Sequence, residues 1–249
     1  MPDLPATFLS RPIAHRALHG TGRPENAVAA IRAAIASGYG IEIDVQLSAD
    51  DVAMVFHDET LDRLTTKQGP VRDRSAAALQ NIALKGGSDA IPTLRTVLDL
   101  VAGQVPLLIE VKDQTGTLCD GPSLLEQAVA RDLQDYRGDV ALMSFNPACI
   151  HALARLAPDR PRGLVTCAFT AEDWPDIPQP RRAELAQIGD FEAAQCCFIS
   201  HEWTDLASAP VRKLADRGIP ILCWTIRGPD EEAKARQIAS NITFENYLP

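Results

Sequence analysis

Residues 106–156 read PLLIEVKDQTGTLCDGPSLLEQAVARDLQDYRGDVALMSFNPACIHALARL, and this stretch decides the architecture. Residues 106–112 and 140–144 are short apolar runs without clean alternation, as in strands covered on both faces. Residues 122–133 and 147–156 are amphipathic at helical spacing, and each opens on a proline, where a first turn has no N–H to lose. Strand, helix, strand, helix is two steps of a parallel alternation. Outward from it the same rhythm continues. Further strands are predicted at 11–16, 41–47, 163–167, 196–200, 219–225 and 241–245, and further helices at 25–37, 94–102, 181–188, 206–217 and 229–237.

Eight strands separated by seven helices predict an α/β fold, a (β/α)8 TIM barrel, and the 249 residues suit one such domain spanning 1–249. An open doubly wound sheet would share the rhythm. It is disfavoured by the even spacing and by the lack of a Gly-x-Gly-x-x-Gly turn after the first strand. Residues 52–57 (VAMVFH) follow Leu47 too closely for a parallel crossover, so they fold back as a hairpin arm. If Leu47 pairs with Val52, Glu42 lies opposite His57. Residues 58–92, polar and turn-rich with a short helix near 76–82, are a small insertion after the second strand, over the barrel mouth.

Composition narrows the function. With 33 Asp+Glu against 24 Lys+Arg the net charge is −9, which argues against a nucleic-acid or anionic-membrane surface. An apolar share of 46% and 23% charged residues excludes wholesale disorder. No run approaches the ~18 apolar residues of a membrane span, and the first twelve residues lack a secretory pattern, so a cytoplasmic protein is expected. The six cysteines form no Cys-x-x-Cys pair and read as buried reduced thiols. No feature speaks to oligomeric state.

Glu42 and Asp44 are two apart on one strand and share a face, as do Glu110 and Lys112 on the next barrel strand. Carboxylates turned into a barrel need a cation or an ion-pair network, and three of them suit a hard divalent ion; a purely structural ion-pair cluster is the alternative. His15 ends the first strand, Arg16 follows, and His57 ends the hairpin arm. His19, His151 and His201 lack such company, though His201, closing the sixth strand, stays a candidate for touching substrate. Pro24-Glu25-Asn26 opens the first helix and can equally anchor the loop beside His15. Two imidazoles, a cation site, Arg16 and Lys112 together suit phosphoryl chemistry. Phe145 and Trp224, at strand ends, are candidates for an apolar substrate wall or for core packing.

His15-Arg16, Arg23-Pro24-Glu25-Asn26, Glu42-x-Asp44-Val45, His57-Asp58-x-x-Leu61-x-Arg63, Ile91-Pro92-Thr93-Leu94, Glu110-x-Lys112 and Cys223-Trp224-Thr225 together resemble the glycerophosphodiester phosphodiesterases. The resemblance runs from about residue 11 to the end. It implies a TIM-barrel hydrolase of lipid and glycerol metabolism that splits a small-molecule glycerophosphodiester into glycerol 3-phosphate and an alcohol, with one Mg²⁺ or Ca²⁺. It also implies roles: Glu42, Asp44 and Glu110 as metal ligands, Arg16 and Lys112 on the phosphate, His15 as base and His57 as acid. Ala17 stands where the family usually has glycine, Ala27 where threonine follows Pro-Glu-Asn, and Arg227 where asparagine is frequent. A metal-assisted aldolase or isomerase, and a non-catalytic barrel binding phosphodiesters, are the competing readings. Paired histidines count against the first and the intact ligand set against the second.

Overall fold

The computed structural model describes residues 2–249, and in them eight parallel strands close into a barrel. The strands are β1 (Ile13–Ala14), β2 (Gly40–Leu47), β3 (Ala53–Val55), β4 (Leu107–Val111), β5 (Val140–Ser144), β6 (Arg162–Thr166), β7 (Phe198–Glu202), β8 (Ile221–Ile226) and β9 (Asn241–Phe244). The helices are α1 (Thr7–Ser10), α2 (Val28–Ser37), α3 (Ala76–Leu79), α4 (Leu94–Val101), α5 (Leu124–Leu133), α6 (Pro147–Leu156), α7 (Gln179–Ala186), α8 (Ala209–Ala215) and α9 (Pro229–Ala235). The ring runs β1-β9-β8-β7-β6-β5-β4-β2 and is closed by β1 on β2, while β3 lies antiparallel on β2 outside it. Among the described residues, no helix is long and apolar enough to cross a membrane.

Alternation along the strands sorts side chains into two cores. Ile41, Ile43 and Val45 of β2, with Leu107, Ile109 and Val111 of β4, face out against the helices. Leu108, Ala141, Met143, Val165, Phe198 and Leu222 face in, and Phe8 of α1 with Leu4 packs against them. Asn241 fastens α1 and the chain after it, donating from Nδ2 to the Phe8 carbonyl at 2.7 Å and the Arg11 carbonyl at 2.6 Å. Gly163 has no side chain because one would not fit: a Cβ there would stand 2.5 Å from the Phe198 carbonyl oxygen and 2.7 Å from its ring. Five cysteines are buried, Cys119 is exposed, and all six are free.

Three expectations are corrected. The first strand is only Ile13–Ala14, because Arg16 and Ala17 turn into the left-handed region at φ 50° and 63° directly after His15. The helix expected from residue 25 starts at Val28; Asn26 is left-handed at φ 59°, which leaves Glu25 and Asn26 in a loop. The hairpin pairs Leu47 with Ala53, not Val52, so Glu42 is not opposite His57. A turn closed by Ser48 N–H on the Val52 carbonyl at 3.0 Å, with Asp51 left-handed, takes up the extra residue. Beyond the arm, Leu61, Val71, Leu79 and Ile91 gather with Phe56 and Met54 into a separate apolar cluster.

Candidate active site

Glu42 and Asp44 on β2 and Glu110 on β4 lie side by side because the strands are in register, Asp44 against Glu110. All three are buried, and one carboxylate oxygen from each lies within 4.8 Å of the others. Burial, then repulsion from Asp44 and Glu110, pushes the Glu42 carboxyl well above the usual carboxylate range. Burial works on Asp44 in the same sense but is outweighed by Lys112, His57 and Arg16, which hold it far below that range. Lys112 Nζ reaches Asp44 Oδ1 at 2.7 Å and Glu110 Oε1 at 2.5 Å. Burial opposes its charge, yet the two carboxylates keep its pKa above that of an ordinary lysine.

The loop after β1 supplies the remaining partners. The Arg16 N–H donates to Glu42 Oε2 at 2.7 Å, and its guanidinium donates to Glu25 Oε1 at 2.9 Å. Asn26 Nδ2 donates to Asp44 Oδ2 at 2.9 Å, while its Oδ1 accepts from the Asp44 N–H at 3.2 Å. A left-handed turn at Arg16 and Ala17 brings this loop down onto β2, with the Ala17 N–H bonded to the Glu42 carbonyl at 2.9 Å. Asparagine tolerates the left-handed region at 26; at 17 an alanine takes it.

Each imidazole is held by a carboxylate. His15 Nδ1 is 2.7 Å from Glu245 Oε2, at the end of β9, and His57 Nδ1 is 2.7 Å from Asp58 Oδ1. Burial pulls the His15 pKa below its ordinary value, against the raising effect of the Glu245 hydrogen bond. That hydrogen bond, together with the His19 imidazole, holds Glu245 well below the carboxylate range. In its neutral form, which this lowering favours, His15 donates from Nδ1 to Glu245 and leaves Nε2 a lone pair. Asp58 is pushed up by burial but held far lower by hydrogen bonds from His57 and Arg63. Arg63 extends the chain, with Nε on Asp58 Oδ2 at 2.7 Å and Nη1 on Glu25 Oε2 at 2.9 Å.

These groups rim an axial well of about 180 Å³ shared by His15, Arg16, Glu42, Asp44, His57 and Lys112. Phe145 and Trp224, with ring centroids 5.7 Å apart, stand on its wall. Past His57, Lys112 and Phe145 the well meets a wider cavity of about 440 Å³, walled by Trp174, Leu118 and Ile177 with Glu59, Asp173 and Asp176 at its edge. All nine expected site residues thus converge. Of the two readings the sequence allows for Glu25 and Asn26, the structure has the loop anchor beside His15. Two further partners had no clear signal. Glu245 had only that of a carboxylate closing the last strand beside the first. His19, expected to lack company, has Nε2 at 3.5 Å from Glu245 Oε2. His201 faces away from the barrel axis, bonded to Thr166 Oγ1 at 2.7 Å.

Residues 15–242 match the model of the Glycerophosphoryl diester phosphodiesterase family. The glycerophosphodiester phosphodiesterase of Caldanaerobacter subterraneus subsp. tengcongensis is 32% identical over 172 residues, 65% of this chain and 69% of that one. Glycerophosphodiester phosphodiesterase 1 of Homo sapiens is 25% identical over 260 residues, 89% and 73% of the two chains. Among solved structures, an Oleispira antarctica phosphodiesterase in complex with its product sn-glycerol-3-phosphate superposes with a TM-score of 0.79 at 24% identity, covering 97% of this chain and 94% of that one. A glycerophosphodiester phosphodiesterase from Thermotoga maritima gives 0.69 at 22% identity, covering 93% and 92%.

Proposed function

The chain belongs to the glycerophosphoryl diester phosphodiesterase family, and from that premise we propose that it hydrolyses small glycerophosphodiesters to glycerol 3-phosphate and an alcohol by two-histidine acid/base catalysis with one divalent cation. The observation that carries this reading is the meeting of two carboxylate-held imidazoles, three buried carboxylates and two cationic side chains around one well.

The donor set fits a hard cation. Glu42, Asp44 and Glu110 offer only oxygen, and three carboxylates meet there against the two cations Lys112 and Arg16 that touch them. A Mg²⁺ or Ca²⁺ held there supplies Lewis-acid neutralisation of phosphate charge. Arg16 and Lys112 meet the remaining phosphate oxygens as the bond order at phosphorus changes. His15, neutral, takes the proton of the attacking hydroxyl at Nε2, whether that hydroxyl is water or the glycerol's own neighbour. His57 gives a proton to the departing alkoxide as the P–O bond breaks. Asp58 and Glu245 hold the two rings in place. The free thiols suit a reducing compartment, and we place the enzyme in the cytoplasm.

Release of glycerol 3-phosphate from glycerophosphocholine, glycerophosphoethanolamine and glycerophosphoglycerol tests the reading. Activity should vanish with chelator and return with Mg²⁺ or Ca²⁺, and Glu42→Ala, Asp44→Ala and Glu110→Ala should each lose it while folded. Full turnover in excess chelator rejects the metal role, and no turnover of any glycerophosphodiester rejects the reaction.

A further inference from the structure

Below the catalytic rim, strand alternation turns Ser200 of β7 and Thr243 of β9 into the axial well, across from Met143 and Val165. Ser200 is 0% and Thr243 1% exposed. Among the described residues, Ser200 Oγ and Thr243 Oγ1 are the only buried side-chain hydroxyls with no hydrogen-bond partner, and both line this one void. Other buried hydroxyls on the same sheet are satisfied: Ser144 Oγ donates to the Val111 carbonyl at 2.6 Å, and Thr166 Oγ1 meets His201 at 2.7 Å. An orphaned buried hydroxyl costs stability, and an apolar barrel interior would be served as well by alanine and valine. Two such groups on one void are placed to bond a molecule that enters it.

Building on the phosphodiesterase reading, we propose that the well is the seat of the substrate's glyceryl group, with Ser200 and Thr243 hydrogen-bonding its free hydroxyls. The diester then enters glycerol first. Phosphorus stops at the rim between His15 and His57, and the leaving alcohol points into the wider cavity bounded by Trp174. Volume agrees with this polarity. The void is about 180 Å³ in all and already takes in the rim of His15, His57 and Lys112 where the phosphate stops, so the space beneath it suits a three-carbon group and nothing longer. A glycerol carrying a fatty acyl chain has no room in this orientation, so lysophospholipids are rejected at the inner end, not at the alcohol end.

The test uses Ser200→Ala, Thr243→Val and the double variant on two diesters: glycerophosphocholine and propyl phosphocholine, which lacks the hydroxyls. Wild type should favour glycerophosphocholine by about 10²-fold or more in kcat/KM, since a site built to bond hydroxyls rejects their absence. Each variant should lose about 3- to 10-fold on glycerophosphocholine, the scale of one neutral hydrogen bond, and the loss should shrink toward nothing on the propyl diester. Neither variant should melt below wild type, because no partner is abandoned. Calorimetric binding of glycerol 3-phosphate against propyl phosphate gives the same contrast without turnover, and so decides the seat even if the hydrolytic reading fails. Equal losses on both diesters, no loss on either, or cleavage of lysophosphatidylcholine at the rate of glycerophosphocholine overturns the proposal.

Discussion

Glu245 occupies the seam where the last barrel strand meets the first, and its carboxylate is divided between His15 at 2.7 Å and Arg227 Nε at 2.8 Å. Its hydrogen bond is the largest effect raising the His15 pKa against burial. In Glu245→Gln that support is lost, so the acidic limb of kcat/KM should move to lower pH while kcat falls by roughly 10²-fold through loss of the donating tautomer. A pH–rate profile with an unmoved limb and undiminished kcat rejects this positioning. The two imidazoles are separable by leaving group. Choline departs poorly without a proton, whereas nitrophenolate leaves almost unaided. His57→Ala should therefore lose roughly 10²–10⁴-fold on glycerophosphocholine and far less on a nitrophenyl diester, and His15→Ala should be impaired on both. The reverse pattern exchanges their roles. The charged residues themselves were legible in the sequence, since carboxylates and imidazoles in apolar strands advertise a cost that must be met. Their holders were legible only in part: Glu25 reads as a helix start and as a loop anchor beside His15, whereas Glu245 sits in a segment whose local pattern already has a sufficient explanation.

His201 shows how strand boundaries redirect a side chain. The sixth barrel strand, expected at 196–200, is β7 at Phe198–Glu202, so His201 lies within it and faces out, its Nε2 3.2 Å from Asp205 in the turn Trp203–Asp205. Burial lowers its pKa against the raising effect of Asp205. The unfolded chain therefore takes up a proton near pH 6.5 that the folded chain refuses; this contribution to stability is present above about pH 6.5 and lost as pH falls. Melts of His201→Gln should show a shallower loss between about pH 7.5 and about pH 5.5 than wild type. Identical slopes reject the assignment. Elements punctuated at both ends were read to the residue, as with 140–144 and 147–156, where Asn146 caps and Pro147 opens the helix. Barrel strands buried on both faces have no alternation to fix their ends, and so 196–200 slid by two. The four residues of α1 are too few to show a period, and the hairpin register turned on a Ser48 backbone bond that no residue pattern announces.

Across the whole barrel, the closed ring fixes β2 and β4 side by side, and with them three carboxylates that no local rearrangement can separate. The fold without an ion thus crowds three carboxylates together, and burial first, then their mutual repulsion, raises the Glu42 pKa. The unfolded chain has no such cluster, so an ion that binds the native state alone must stabilise it. At a hundredfold excess over its Kd the gain is about 2.7 kcal/mol. For a chain of this size each kcal/mol moves Tm by about 2–4 °C, which makes the expected rise about 5–10 °C. Glu42→Gln should behave oppositely in two respects. Its chelated form should melt at or above chelated wild type, because a neutral amide relieves the repulsion, and its response to Mg²⁺ or Ca²⁺ should largely disappear because a ligand is gone. This separates an ion site from a self-contained ion-pair cluster, in which Glu42→Gln would melt lower and added ion would move neither protein. Thermal melts of both proteins in chelator and in millimolar Mg²⁺ or Ca²⁺ decide it. A wild-type Tm that stays at its chelated value in both ions removes the cation from the mechanism and leaves the side chains lining the well, Lys112, Arg16 and Arg227, to counter the phosphate charge.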